Sequence, residues 1–206
     1  MSDSYMKWEF ERDRSALLVI DMQNDFVNED GMVYVKEARG QLPRIKSLID
    51  KCRELAVPVI YTVHEVDPLL CPLECATFPQ LKEAGMRFGT KGVEVVDELA
   101  PRQGDTVMHK HRFSAFYQTD LEIILRNIRG MENPVDTVII CGTVTNVCCE
   151  STARDAFFRD YKVVFGTDVC SALTQEAHSA TIENMHFFGR AMDCESIIKA
   201  LQNGKG

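Results

Sequence analysis

A carboxylate at Asp21, an ammonium at Lys110 and a thiol at Cys148 each stand at or just beyond the carboxyl end of a short apolar run. Together they suit acyl transfer through sulfur. A thiolate attacks a carbonyl carbon, a carboxylate beside it takes the thiol proton and returns it to a leaving amine, and an ammonium adds positive charge. The stretch Gly142-Thr143-Val144-Thr145-Asn146-Val147-Cys148 reads as a strand end, a polar turn and a helix start. Thr145 or Asn146 is the expected N-cap, which puts Cys148 in the first helical turn. Free N–H groups and the helix macrodipole there favour thiolate and lower the cysteine pKa. Those N–H groups also suit an oxyanion. Each residue has a blander reading when taken singly: Asp21 as a strand-end turn former, Lys110 as a solvated lysine, Cys148 as a small packed thiol. Their occurrence at three corresponding strand ends outweighs those readings. Cys149, one position on, faces about 100° away around a helix and is expected to pack.

The three side chains meet only if the apolar runs are strands of one sheet. Residues 16–20, 57–63, 106–108, 137–141 and 162–165 supply five such runs, apolar on both faces, as in parallel strands covered on both sides. Between them, residues 41–55 carry Leu42, Ile45, Leu48, Ile49, Cys52 and Leu55 at three- and four-residue intervals, an amphipathic helix. Residues 119–129 repeat the pattern, further helices are expected from Asn146 and over 174–188, and a last strand and helix over 190–202. The alternation predicts a doubly covered α/β sheet, whose ligands bind beyond the carboxyl ends of the strands where strand order reverses. Residues 64–105, with Pro68, Pro72, Pro79 and Pro101, read as an irregular excursion over that end of one domain spanning 1–206.

The chain of 206 residues is 45% hydrophobic and 26% charged, enough apolar content for a full core. A formal charge of -8 argues against a nucleic-acid partner. No apolar run is long enough to span a bilayer, and residues 1–14 lack a signal-like apolar stretch, so a cytoplasmic protein is expected. The eight cysteines lie scattered through the elements and are expected to be reduced thiols. Cys71 and Cys75, flanking Pro72, could bridge or bind a metal, but no second pair has matching spacing.

Three segments resemble the isochorismatase-like cysteine hydrolase superfamily. They are Leu18 to Phe26 (LVIDMQNDF), Lys110 to Phe116 (KHRFSAF) followed by Thr119 and Leu121, and Gly142 to Ala156 (GTVTNVCCESTARDA). The resemblance covers roughly residues 14–202. It implies a three-layer α-β-α fold with a six-stranded parallel sheet, an Asp21–Lys110–Cys148 triad and a thioester intermediate that water hydrolyses. It also implies a cis peptide between Thr143 and Val144, an oxyanion hole from the backbone N–H groups of Val144 and Cys148, and a homo-oligomer, dimer or tetramer.

Isochorismatases proper typically lack the cysteine nucleophile that is present here. Nicotinamidases of this family add a metal site on an Asp-x-His pattern, and Thr62-Val63-His64-Glu65-Val66 has none, so neither metal nor cofactor is expected. The third motif is most similar to ureidoacrylate and N-carbamoylsarcosine amidohydrolases, which points to a small amide or ureido substrate. A nicotinamidase-like amidase and a catalytically silent binding protein are the alternatives. Phe26, His64 and Arg112 are the candidate substrate contacts, the last by bidentate grip on a carboxylate. Phe113, Phe116 and Tyr117 are further aromatic wall candidates, with at least two of the four aromatics assigned to the core.

Overall fold

The computed structural model describes Trp8 and residues 11–204. Strand β1 (Ser15–Ile20) and helix α1 (Asn24–Val27) are followed by α2 (Ala38–Glu54) and β2 (Val59–His64). Next come α3 (Pro72–Thr77), α4 (Pro79–Glu83), β3 (Thr106–Lys110), α5 (Leu121–Asn127) and β4 (Thr137–Thr143). The chain continues through α6 (Glu150–Phe157), β5 (Lys162–Ser171), α7 (Gln175–Met185), β6 (Arg190–Met192) and α8 (Cys194–Asn203). The strands form one six-stranded sheet in the order β3-β2-β1-β4-β5-β6, and every adjacent pair is parallel. Strand order reverses between β1 and β4, so the binding crevice of such a sheet opens beyond their carboxyl ends.

The continuous apolar runs form strands because both faces are covered. In β1, Leu17 and Val19 pack with Leu42, Ile45, Leu48 and Ile49 of α2 and with Ile197 and Leu201 of α8. Ala16, Leu18 and Ile20 point the other way, toward Leu121 and Leu125 of α5, Ala153 and Ala156 of α6 and Met185 of α7. That is the period-2 alternation of a strand between two helix layers. Each fully buried leucine or isoleucine contributes about 1.5–3 kcal/mol. Two helix starts are side-chain capped: Thr174 accepts from the Ala177 N–H in α7, and Asp193 from the Ser196 N–H in α8.

Strand ends differ from the apolar runs where backbone pairing extends past them. β3 reaches Lys110 because it pairs with β2 in a register that sets Lys110 beside His64. β5 continues to Ser171, through a register irregularity opposite Ile140 and Gly142. Gly142, at φ 121°, lies where a Cβ would sit 2.0 Å from the Ile20 carbonyl oxygen, so only glycine lets β4 close on β1 at the crevice.

Beyond His64, which closes β2, residues 65–105 hold α3, α4 and two single 3-10 turns rather than any strand of the sheet. Both helices begin with proline, whose missing N–H costs nothing at that position. The segment is tied down by polar side chains. Buried Gln23 donates to the carbonyls of His64 and Val93 at 3.0 and 2.9 Å, and accepts from the His64 N–H at 2.9 Å. Arg87 donates to the carbonyls of Val66, Leu81 and Lys82.

Candidate active site

Asp21 follows β1 at φ 48°, a left-handed conformation that aspartate tolerates better than most residues. The turn is held by Thr143, whose hydroxyl donates to the Asp21 carbonyl at 2.8 Å. Thr62, level with Ile20 on β2, donates to Asp21 Oδ1 at 2.6 Å. Asp21 Oδ2 lies 2.7 Å from Lys110 Nζ and has no hydrogen bond besides that ion pair. Both side chains are fully buried.

Lys110 Nζ also lies 3.1 Å from His64 Nδ1 and donates to the Arg112 carbonyl at 3.0 Å. An ammonium only donates, so His64 Nδ1 accepts, and Nε2 carries the ring proton and donates to Glu74 Oε1 at 2.8 Å. A chain of contacts therefore runs Asp21–Lys110–His64–Glu74, from the end of β1 to helix α3. Burial would pull the Lys110 pKa down, but Asp21 and Cys148 outweigh it, and the ammonium is held above the ordinary lysine value.

Cys148 lies beside Asp21 and Lys110 and interacts electrostatically with both. It is carried not on an α-helix but on a π-type turn, Thr145–Cys149, that runs into α6. The Cys149 N–H reaches back five residues to the Val144 carbonyl at 3.2 Å, the bond that defines such a turn. Neither Thr145 nor Asn146 caps it. Val144 occupies the cap position without a side-chain hydrogen bond, and Thr145 instead pairs its hydroxyl with His178 Nδ1 at 3.0 Å. The cis peptide implied by the resemblance is present between Thr143 and Val144.

The expectation of a lowered thiol pKa does not hold for the closed site. Burial pushes the Cys148 thiol well above the ordinary cysteine value; Lys110 pulls it down and Asp21 pushes it up. At 2% exposure, desolvation outweighs the N–H groups of a five-residue turn. The resting group is a neutral thiol beside a carboxylate. Cys149 is fully buried and interacts with Cys170, away from the cavity, so its expected packing role matches its surroundings.

Above the thiol lies a cavity of about 320 Å³, reached by Cys148, Val144 and His64 from the sheet side. Phe26 and Phe113 are among its walls, and Glu74, Phe78, Gln80, Leu81 and Met86 enter from the excursion. Arg112 does not line it. Its guanidinium donates to the carbonyls of Leu70 and His111, both at 2.6 Å, and to Cys71 Sγ at 3.3 Å. The carboxylate grip expected of Arg112 is thus replaced by a clamp on the excursion, because the backbone oxygens already take its donors. Phe116 packs in the core against Tyr161, and Tyr117 is half exposed outside the cavity. Thr62, Thr143 and Glu74 went unrecognised in the sequence. The first two could have been found from strand register, whereas no local signal separates Glu74 from the chain's other acids.

All eight cysteines are free thiols, Cys71 and Cys75 included. Among the described residues, no group of three or more His, Cys, Asp or Glu side chains is arranged to hold a metal ion. Among the described residues no helix is long and apolar enough to cross a membrane.

An α/β sheet of this order, with a carboxylate, an ammonium and a thiol converging at its reversal point, defines a class of cysteine-dependent hydrolase folds. The isochorismatase domain model matches residues 15–196, and the chain belongs to that family. It is 33% identical over 191 residues to "Nicotinamidase 3" of Arabidopsis thaliana, covering 91% of this chain and 88% of that protein. It is 32% identical over 200 residues to "Ureidoacrylate amidohydrolase RutB" of Rhizobium rhizogenes, covering 85% of this chain and 78% of the relative. Among solved structures, a cysteine hydrolase from Pseudomonas syringae pv. phaseolicola superposes with a TM-score of 0.89 at 31% identity, over 98% of this chain and 99% of that one.

Proposed function

We propose that the protein is a cysteine amidohydrolase, cleaving a non-peptide C–N bond in a small amide or ureido compound. The observation that carries this reading is the convergence of Asp21, Lys110 and Cys148 at one end of a cavity sized for a small molecule. Relatives named as a nicotinamidase and a ureidoacrylate amidohydrolase support the bond type.

Because burial keeps Cys148 protonated, attack and proton removal occur together. Asp21 Oδ2 takes the thiol proton as sulfur bonds to the substrate carbonyl carbon, and the carbonyl π electrons move to oxygen. The Val144 and Cys148 N–H groups hold that oxyanion. Its collapse breaks the C–N bond, and Asp21 returns the proton to the departing amine, leaving a thioester on Cys148. Asp21 then takes a proton from water as its oxygen attacks the thioester carbonyl. The acid departs and the thiol recovers its proton. Lys110, held charged in the resting site by Asp21 and Cys148, stabilises each anionic stage.

Ammonia release from a panel of primary amides and ureido compounds tests the reading, with Cys148→Ala alongside. A loss on the order of a thousandfold or more is expected in the variant, with the far-ultraviolet spectrum and melting temperature of the parent. Turnover retained by a folded Cys148→Ala protein would sink the covalent route.

A further inference from the structure

The cavity above Cys148 says something about charge. Its walls are mainly aromatic and aliphatic, and among the described residues that line it the only charged side chain is Glu74. Glu74 Oε1 accepts the His64 Nε2 proton at 2.8 Å, and its side chain is 10% exposed. Among the described residues Oε2 takes no hydrogen bond, so Glu74 keeps acceptor capacity beside the cavity.

The nearby cations are committed elsewhere. Lys110 is neutralised by Asp21 at 2.7 Å. Arg112 spends its guanidinium on the Leu70 and His111 carbonyls. Arg87 does the same with Val66, Leu81 and Lys82. A substrate carboxylate in this space would lose its water without gaining a cation, and would lie near Glu74 as well. The formal charge of -8 on the whole chain adds a repulsive field to its approach.

We infer that the site selects electrically neutral amides with an apolar acyl body, and that Glu74 is the specificity-determining residue that rejects substrates bearing a carboxylate. This rests on the amidohydrolase reading and narrows it against the ureido acids. Glu74 does so from α3 in the excursion, while the reacting groups stand on the sheet. Gln80, on α4, supplies an uncharged polar edge to the same cavity.

Two matched pairs of probes test this: benzamide against para-carboxybenzamide, and the methyl ester of N-carbamoylglycine against N-carbamoylglycine itself. Within each pair the neutral member is expected to have kcat/KM higher on the order of a hundredfold, as suits an uncompensated buried charge. Glu74→Gln, which keeps an oxygen for His64, should narrow that ratio about tenfold. Gln80→Arg should narrow it independently by raising turnover of the acids. Acids processed as well as their neutral partners, or a ratio that neither variant moves, would overturn the inference and leave the amidohydrolase reading standing. If none of the four is turned over, protection of Cys148 from iodoacetamide gives the same order by binding alone. Protection by the neutral members only supports the inference although the proposed reaction has failed; absent or acid-selective protection overturns it.

Discussion

The floor and the roof of the cavity are built on opposite terms. Asp21, Lys110 and Cys148 on the floor are 0, 1 and 2% exposed, and their positions follow from the backbone ladders of β1, β3 and β4. The roof, residues 64–105, has helices of six and five residues and leaves Leu69, Leu73 and Phe88 about four-fifths exposed. Buried Leu81, Met86, Val96 and Leu99 anchor it in the core, and side chains of Gln23, Arg87 and Arg112 tie down its carbonyls. A sheet edge holds reacting atoms rigidly because many hydrogen bonds must break together to move it. A roof of short helices and loops, outside the backbone ladders, tolerates substitution at smaller cost, which suits the part that selects the substrate.

The sharpest way to break the floor is Lys110→Met. It leaves the Asp21 carboxylate buried without a counter-charge, which should cost about 3–5 kcal/mol of stability. Urea denaturation would read the loss, and turnover should vanish with it. A drop below 1 kcal/mol would mean that Asp21 takes up a proton or reaches water when its partner is removed.

The sheet and the helices packed on it should lose stability at high pH. Cys148, Cys141 and Cys149 have thiols pushed above the ordinary range by burial, as are Cys52, to about 12, and Cys194, to about 11. In the unfolded chain these groups lose their protons first, near pH 8.5. The unfolded state then binds fewer protons than the folded one, so stability falls as pH rises. The contribution is fully present below about pH 8.5 and is lost progressively as pH climbs toward the folded values. Melting temperatures between pH 8 and 11 would record the decline, and a flat profile would contradict the burial argument. Iodoacetamide should accordingly label Cys148 slowly at neutral pH, with no plateau in rate near pH 9.

The roof should respond more gently. Arg112→Met removes donors to Leu70 and His111 while keeping much of the apolar stem. KM is expected to rise about tenfold, as for a lost charge-assisted hydrogen bond, with a smaller change in kcat. An equal fall in kcat would place Arg112 in the chemistry rather than in the roof. Smallest of all should be Cys149→Ala. The sulfur faces Cys170 and not the cavity, so activity should stay within about tenfold of the parent and only the methyl-scale packing loss, roughly 1 kcal/mol, should appear. Loss of turnover confined to this variant would reverse the assignment of the two cysteines.

The floor was legible because its signals are local. A run such as Ala16 to Ile20, apolar on both faces and ending in Asp21, announces a buried parallel strand with a polar residue at its tip. Three such ends carrying complementary groups were enough to expect their meeting. The strand lengths were less legible: Lys110 lies inside β3 and not beyond it, because pairing to His64 extends the ladder past the apolar run. Phe26 and His64 do line the cavity, while Arg112 does not. An arginine's reach allows many partners, and nothing near it in sequence marks the Leu70 carbonyl as the one it takes.

By itself, then, the sequence determined which chemical groups sit at the ends of which strands, since periodicity and residue type act over a few neighbouring positions. The tertiary structure decided the rest: the π-type turn under Cys148, the protonated state of its thiol, and the pairing of His64 with Glu74. It also turned Arg112 away from the cavity and left Glu74 as the charge facing it. Desolvation depends on everything packed around a group, and contacts between β2 and α3 depend on how a long excursion folds back over the sheet. Neither is written in any short stretch of the chain.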